Sequence, residues 1–190
     1  SRVLNAYDYA RKVNGRRNSR HRIEHIELIQ KSDIKRLKEL DVIASMQPVH
    51  PPGSDGLPLE PELSKIGKNR FNEAYAWKSI KTSGGVVIFS TDWPVSNVDP
   101  LNCIFNALNR KPWTKDTMDQ RLNLYETLSA YTKLGAYAEF KETKKGMLKE
   151  GYFADLIILS GAIDQIGSAH IRGLEVELTM VDGKIVYKKN

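Results

Sequence analysis

One stretch of the sequence places a carboxylate, which could bind a metal or accept a proton, shortly after an apolar run. Residues 86–89 (VVIF) follow a pair of glycines and lead into Ser90, Thr91 and Asp92. The apolar run is typical of a buried strand. A carboxylate at the carboxyl end of a buried parallel strand is where α/β barrels place catalytic and metal-binding groups. The alternative is that Asp92 only caps the next helix or turn.

Two earlier segments repeat this pattern, which makes the catalytic interpretation of Asp92 stronger. Residues 21–25 form a short strand-like run that ends in His25, and residues 42–46 lead into Gln47 and His50. Helical patterns separate the strand-like runs, and this alternation predicts parallel strands joined by right-handed crossovers. The carboxyl ends of the three strands are therefore expected to meet at one edge of a sheet.

The remaining periodicity predicts the elements that must position these residues. A loop of about twenty residues, 48–68, is rich in proline, and loops of that length are usually functional lids or disordered segments. Helices are predicted over 3–13, 32–40, 71–83, 101–109, 114–124 and 127–141.

The sequence pattern changes near Gly146. A turn-rich approach leads into the strand-like run 156–159, and Asp182-Gly183 is a strong signal for a two-residue hairpin. We therefore predict two units, an α/β part over 1–145 and a small β unit over 146–190.

Composition excludes several classes of protein. No run approaches the roughly 20 apolar residues needed to cross a bilayer. One cysteine, Cys103, excludes an intramolecular disulfide framework and fits a reducing, cytoplasmic location. Its apolar neighbours predict a buried side chain rather than a nucleophile.

The net charge is +6, but the basic cluster lacks interleaved aromatic residues and any nucleic-acid motif, so we expect no nucleic-acid partner. That cluster comprises Arg11, Lys12, Arg16, Arg17, Arg20 and Arg22.

Taken together, the motifs resemble the metal-dependent amidohydrolase superfamily, in particular the amidohydrolase-3 group that includes N-substituted formamide deformylases. The matching strings are 21–25 (HRIEH), 45–50 (SMQPVH), 90–95 (STDWPV) and the tail strings 151–159 (GYFADLIIL) and 181–187 (VDGKIVY). The resemblance covers nearly the whole chain, although the tail strings are common across the superfamily.

The resemblance implies a (β/α)8 barrel with a β-sandwich built from both chain ends. It makes His25 a metal ligand at the end of the sixth strand, and Asp92 a metal ligand and proton acceptor at the end of the eighth. His50 and Gln47 would face the substrate, and a surface histidine beside Pro51 is the alternative for His50. The implied cofactor is a divalent metal, one or two zinc ions, that activates water for attack on a non-peptide C–N bond.

The chain also departs from the family pattern. The family's His-x-His, its fourth-strand lysine or acidic residue and its fifth-strand histidine have no counterpart in these 190 residues. A full barrel takes about 250 residues and a catalytic zinc usually has three protein ligands. We therefore expect strands six to eight of a barrel, in a C-terminal fragment that is inactive alone. The expected partners are a small-molecule substrate and either a second copy or the missing N-terminal segment. A non-catalytic half-barrel scaffold is the alternative function.

Overall fold

The computed structural model describes all 190 residues, which form two three-stranded sheets and seven α-helices. The chain also contains two 3₁₀ helices, Lys68–Glu73 and Ser168–Gly173. The elements in chain order are α1 (Arg2–Asn14), β1 (Arg22–Glu24), α2 (Lys31–Glu39), β2 (Ile43–Met46), α3 (Glu62–Ile66), α4 (Trp77–Thr82), β3 (Val87–Phe89), α5 (Pro100–Asn109), α6 (Leu124–Tyr131), α7 (Lys133–Ala138), β4 (Leu156–Leu159), β5 (Val176–Val181) and β6 (Lys184–Lys188).

The first sheet is parallel and has the order β1-β2-β3, as the alternation of strands and helices predicts. The central strand β2 is buried along its whole length, which explains why it is apolar except at Ser45. Glu24 pairs with Ser45, and Met46 pairs with Phe89, so the three strands end at nearly the same level. The residues that follow the strands therefore lie side by side.

The main core lies against this sheet. Helices α2 and α4 contribute Leu37, Trp77 and Ile80, which are fully buried, and β2 contributes Met46. Burial of each such large apolar side chain stabilises the fold by about 1.5–3 kcal/mol. The strand ends are thus held by a rigid layer of helices.

The second sheet is antiparallel and contains β4, β5 and β6. Asp182 and Gly183 connect β5 to β6 with φ angles of 49° and 74°, the pair of positive φ values that a type I′ hairpin turn requires, so the hairpin prediction is confirmed. The sheet reaches the rest of the chain through the second 3₁₀ helix, where Ile171 packs with Leu101 and Ile104 of α5.

The helix predicted over 114–124 is wrong, because this segment is irregular. Several of its polar groups bond to residues far away in the sequence: the Met118 amide donates to Asn72 Oδ1 at 2.6 Å, and the buried Gln120 accepts from the Ser79 amide and donates to the Ser79 hydroxyl. These tertiary contacts override the helical pattern of the segment.

Two other predicted helices are shorter or divided. In the helix predicted over 71–83, Tyr75 adopts a positive φ of 48° and its amide donates to the carbonyl of Glu27, so α4 begins only at Trp77. The helix predicted over 127–141 is interrupted at Thr132, which separates α6 from α7. The long loop 48–68 contains the short helix α3 near its end.

Other sequence predictions can be compared with the structure directly. Cys103 is fully buried on α5, and burial raises the pKa of its thiol to about 11, which confirms a packing role. Several residues of the basic cluster are paired with acids: Arg16 with Asp41, and Arg20 with Glu142. No helix is both long enough and apolar enough to cross a membrane.

Candidate metal centre

Three polar residues occupy the first position after the three parallel strands: His25 after β1, Gln47 after β2 and Ser90 after β3. The strand hydrogen bonds continue through this row, because the His25 amide donates to the carbonyl of Ser45 and the Ser90 amide to that of Met46. The row is therefore part of the sheet register. Sequence reasoning missed Ser90 as a member, although its position directly after the third strand matches that of the other two.

The side chains of this row are joined by hydrogen bonds. Gln47 Oε1 lies 3.0 Å from His25 Nδ1, and Gln47 Nε2 donates to Ser90 Oγ at 2.9 Å. Gln47 is buried, with both ends of its amide engaged. A neutral His25 that donates from Nδ1 to Gln47 carries its lone pair on Nε2, which fixes one ring nitrogen as the candidate ligand atom.

Asp92 lies two residues beyond this row. Its Oδ2 is 3.6 Å from His50 Nε2 and 4.0 Å from His25 Nδ1. The next helix, α5, is capped by Asp99, whose carboxylate accepts from the Leu101 amide at 2.9 Å. The alternative that Asp92 caps the next helix is therefore wrong, although its carbonyl begins the following turn by accepting from the Val95 amide at 2.8 Å.

The backbone at this site is unusual in two places. His25 and Asp92 have φ angles of 70° and 60°. A positive φ is uncommon for residues other than glycine and costs about 1–2 kcal/mol. The surrounding fold offsets this cost at both positions, and such outliers concentrate at functional sites.

His50 completes the cluster from the turn after β2. Its ring stacks on that of His25, with centroids 5.8 Å apart, and its side chain is only 13% exposed, so the alternative of a surface histidine is wrong. Burial lowers the pKa of His50, although Asp92 opposes this shift. The lowered pKa favours the neutral imidazole that a metal requires. Its Nε2 is buried without a hydrogen-bond partner, a costly arrangement for a polar atom.

The donor set fits a divalent metal. One ligand atom each from His25, His50 and Asp92 lies within 4.8 Å of the others. Zinc bonds to nitrogen and oxygen of about 2.0–2.2 Å bring two ligands of one ion to at most about 4 Å apart, so the side chains would draw closer together to share one ion. Two imidazoles and a carboxylate are a donor set that suits zinc. The sequence predicted two of these ligands and placed His50 on the substrate side.

Comparison with known proteins identifies the family of the chain. The model of the Amidohydrolase family matches residues 1–187. YtcJ of Bacillus subtilis (strain 168), whose name places it among the amidohydrolases, is 31% identical over 194 residues, 100% of this chain and 35% of that protein. The Arabidopsis thaliana protein LONG AFTER FAR-RED 3 is 30% identical over 162 residues, 83% of this chain and 27% of its own length.

Solved structures show the same fold. A metal-dependent hydrolase from Pyrococcus furiosus, itself uncharacterized, is 29% identical, with a TM-score of 0.62 over 79% of this chain and 28% of that one. An adenosine deaminase from Xanthomonas campestris with bound Zn is 16% identical, with a TM-score of 0.63 over 88% of this chain and 37% of that one, and this likeness concerns the fold alone.

The fold and the cluster of two histidines with a carboxylate define an α/β protein with a candidate metal centre at the carboxyl edge of a parallel sheet. The chain belongs to the amidohydrolase family. It spans about a third of the length of the curated relatives that it matches.

Proposed function

We propose that the chain contributes part of the active site of a metal-dependent hydrolase, with His25, His50 and Asp92 as ligands of a divalent metal, zinc in the first instance. The observation that carries this proposal is the buried, unpartnered Nε2 of His50, which faces Asp92 within a cluster that also contains His25. A bound metal would give this nitrogen the partner that it lacks.

In this proposal, each residue has a separate role. A divalent ion bound at this cluster supplies Lewis acidity and lowers the pKa of water toward neutrality. His25 and His50 donate neutral nitrogens, and Asp92 accepts a proton at Oδ2, the carboxylate oxygen nearest both rings. Gln47 keeps both ends of its amide in protein hydrogen bonds, so we assign to it the orientation of His25 rather than contact with the substrate.

The proposed reaction is hydrolysis of a non-peptide C–N bond in a small amide or formamide-type substrate. The amidohydrolase family to which the chain belongs and the name of its relative YtcJ support this choice. The chemistry is consistent with the site, since a neutral amide needs both an activated water molecule and a proton acceptor close to it.

We further propose that β1, β2 and β3 are the sixth to eighth strands of a (β/α)8 barrel and that 146–190 belongs to a separate β-sandwich. The chain covers 35% of YtcJ, so the remaining strands and ligands would come from a segment outside these residues. Strand β1 lies at one edge of the sheet and would pair with that segment. Without it, we expect weak metal affinity and little catalysis.

Metal titration tests the proposal. Zinc content and affinity would be measured by elemental analysis and calorimetry on the 190-residue chain and on the longer polypeptide that contains it. We expect His25→Ala, His50→Ala and Asp92→Asn to lower zinc affinity by at least about tenfold, as loss of one ligand does. His170→Ala, which alters an exposed histidine far from the cluster, is the matched control and should leave it unchanged.

Two results would decide against the enzyme. In the first, the longer polypeptide binds zinc, and neither His25→Ala nor Asp92→Asn changes its affinity. In the second, both substitutions lower the zinc affinity, but the protein hydrolyses no amide or formamide substrate. Either result would favour the alternative of a non-catalytic scaffold.

A further inference from the structure

A large cavity opens directly beside His50. Its volume is about 590 Å³, within the range of about 300–1,000 Å³ that is usual for small-molecule sites. His50 belongs both to its wall and to the metal cluster, so a molecule in the cavity would extend away from the proposed reaction centre. Most of its wall, His50 included, comes from the proline-rich loop 48–68.

The loop wall is apolar and anchored. Leu57, Pro58 and Ile66 line the cavity from the loop, and Leu28 and Val95 line it from the other side. The Leu57 amide donates to the carbonyl of Ser54 at 2.8 Å, and its own carbonyl accepts from Gly53 at 3.0 Å, so its position is defined by a turn.

A second anchor ties this loop to the rest of the protein. The Trp113 ring nitrogen donates to the carbonyl of Pro52 at 3.0 Å. The Trp113 ring also meets the ring of Tyr75 edge-on, and Tyr75 lines the cavity. The apolar wall is therefore a fixed surface.

The charges that line the cavity sum to one negative charge. Lys65 pairs with Glu62 at 3.5 Å, whereas Glu27 forms no ion pair within 4.0 Å. Glu27 and Tyr75 line the cavity as neighbours, because the Tyr75 amide donates to the Glu27 carbonyl at 2.8 Å. The buried Arg110 guanidinium is enclosed by aromatic rings behind Tyr75 and does not line the cavity.

We propose that this cavity is the subsite for the substrate's substituent and that it selects an apolar group carrying a positive charge. The apolar wall around Leu57 would bury the hydrocarbon part, and the unpaired carboxylate of Glu27 would attract the cation and repel an anion. This inference rests on the proposed function, because the reacting bond is assigned to the metal cluster beside His50.

Three probes of similar size test the proposal without catalysis: 4-phenylbutylamine, 4-phenylbutanamide and 4-phenylbutanoate. Their affinities for the chain would be measured by NMR titration in excess EDTA, so that no metal takes part. We expect the amine to bind about fivefold more tightly than the carboxylate, as one partly solvated charge contact gives, with the amide between them. Glu27→Gln should bring the amine and the carboxylate to equal affinity.

Two leucine substitutions test the role of the apolar wall. Leu57→Ala should weaken all three probes by about threefold, because it removes apolar contact area. Leu59→Ala changes a leucine of similar exposure on the same loop that does not line the cavity, and it should leave the affinities unchanged. Thermal melting of both variants checks that the fold is retained.

Three results would overturn the proposal: no binding of the amine, equal binding of the amine and the carboxylate to the unaltered chain, or equal weakening by Leu57→Ala and Leu59→Ala. Because EDTA is present, these results are independent of the metal titration. If the zinc experiment fails but the probe affinities are as expected, the proposed hydrolase function is contradicted and the proposed binding site is retained.

Discussion

At the scale of single residues, the most informative side chain is Gln47, which joins the ends of all three parallel strands. It bonds His25 on one neighbouring strand end and Ser90 on the other. A buried amide satisfied at both ends restricts its partners to one orientation, because any rotation leaves a buried polar group unpaired. Gln47 thereby selects which nitrogen of His25 is free to bind a metal.

Substitution of Gln47 tests this positioning role. Gln47→Leu keeps the size of the side chain but leaves His25 Nδ1 without its acceptor, and we expect zinc affinity to fall about 10–100-fold, as loss of outer-shell partners does. Gln120→Leu is the matched control, since Gln120 is equally buried and also makes two hydrogen bonds, but to Ser79. Calorimetry should show that the control loses stability without losing zinc affinity, and equal losses in the two variants would contradict the role.

The sequence predicted part of this site. His25 ends the strand-like run 21–25, and Asp92 lies two residues beyond Ser90, which directly follows the apolar run 86–89, so their positions beyond strand ends could be read from the pattern. The approach of His50 to Asp92 could not, because it depends on the turn after β2, in which the His50 amide donates to the carbonyl of Gln47. The turn itself has a local signal in Pro48 at its second position, but its approach to Asp92 depends on the pairing of β2 with β3, which no local pattern encodes.

At the scale of elements, the junction between α6 and α4 depends on one carboxylate. Glu126 closes the capping box of α6 with Asn123, and it also pairs with Lys78 at 3.3 Å and Lys81 at 2.8 Å from α4. Burial alone raises the pKa of Glu126, but Lys81, the Asn123 amide and Lys78 outweigh it and hold the pKa at about 2. The charged carboxylate is therefore favoured in the folded state.

This shift predicts how stability depends on pH. Because the folded pKa lies below the ordinary 4.5, the stabilisation from Glu126 is complete above about pH 5 and is lost as pH falls toward 2. Glu126→Gln should lower the free energy of unfolding by about 1 kcal/mol at pH 7, since the lysines are partly solvated. Urea unfolding at pH 7 and at pH 3 should show the difference shrinking at the lower pH. The exposed Glu175→Gln is the control and should cost less at pH 7.

Elements with strong periodicity were predicted well, and those governed by tertiary contacts were not. The three parallel strands, α1, α2 and α5 lie within two residues of their predicted bounds. The predicted helix 114–124 failed because Gln120 and Met118 bond to distant residues rather than within the segment. Such bonds depend on which surfaces meet in the folded chain.

At the scale of the whole molecule, the antiparallel sheet is attached through a small apolar cluster in which Ile171 is almost fully buried against α5. Ile171→Ala should lower the free energy of unfolding by about 2–5 kcal/mol, because it leaves a cavity at this junction. Ile185→Ala on the exposed face of β6 is the control and should cost less than about 0.5 kcal/mol. Thermal unfolding and limited proteolysis measure both, and equal effects would show that the junction does not hold the sheet.

The sequence by itself determined most of the order of strands and helices, the hairpin at Asp182 and the placing of His25 and Asp92 beyond the ends of strands. These features follow from hydrophobic periodicity and turn chemistry, which are local properties of the chain. The tertiary structure alone decided that His50 joins the cluster, that Gln47 links the strand ends and that a cavity adjoins them. These features depend on strand register and loop packing, which bring together side chains distant in the sequence.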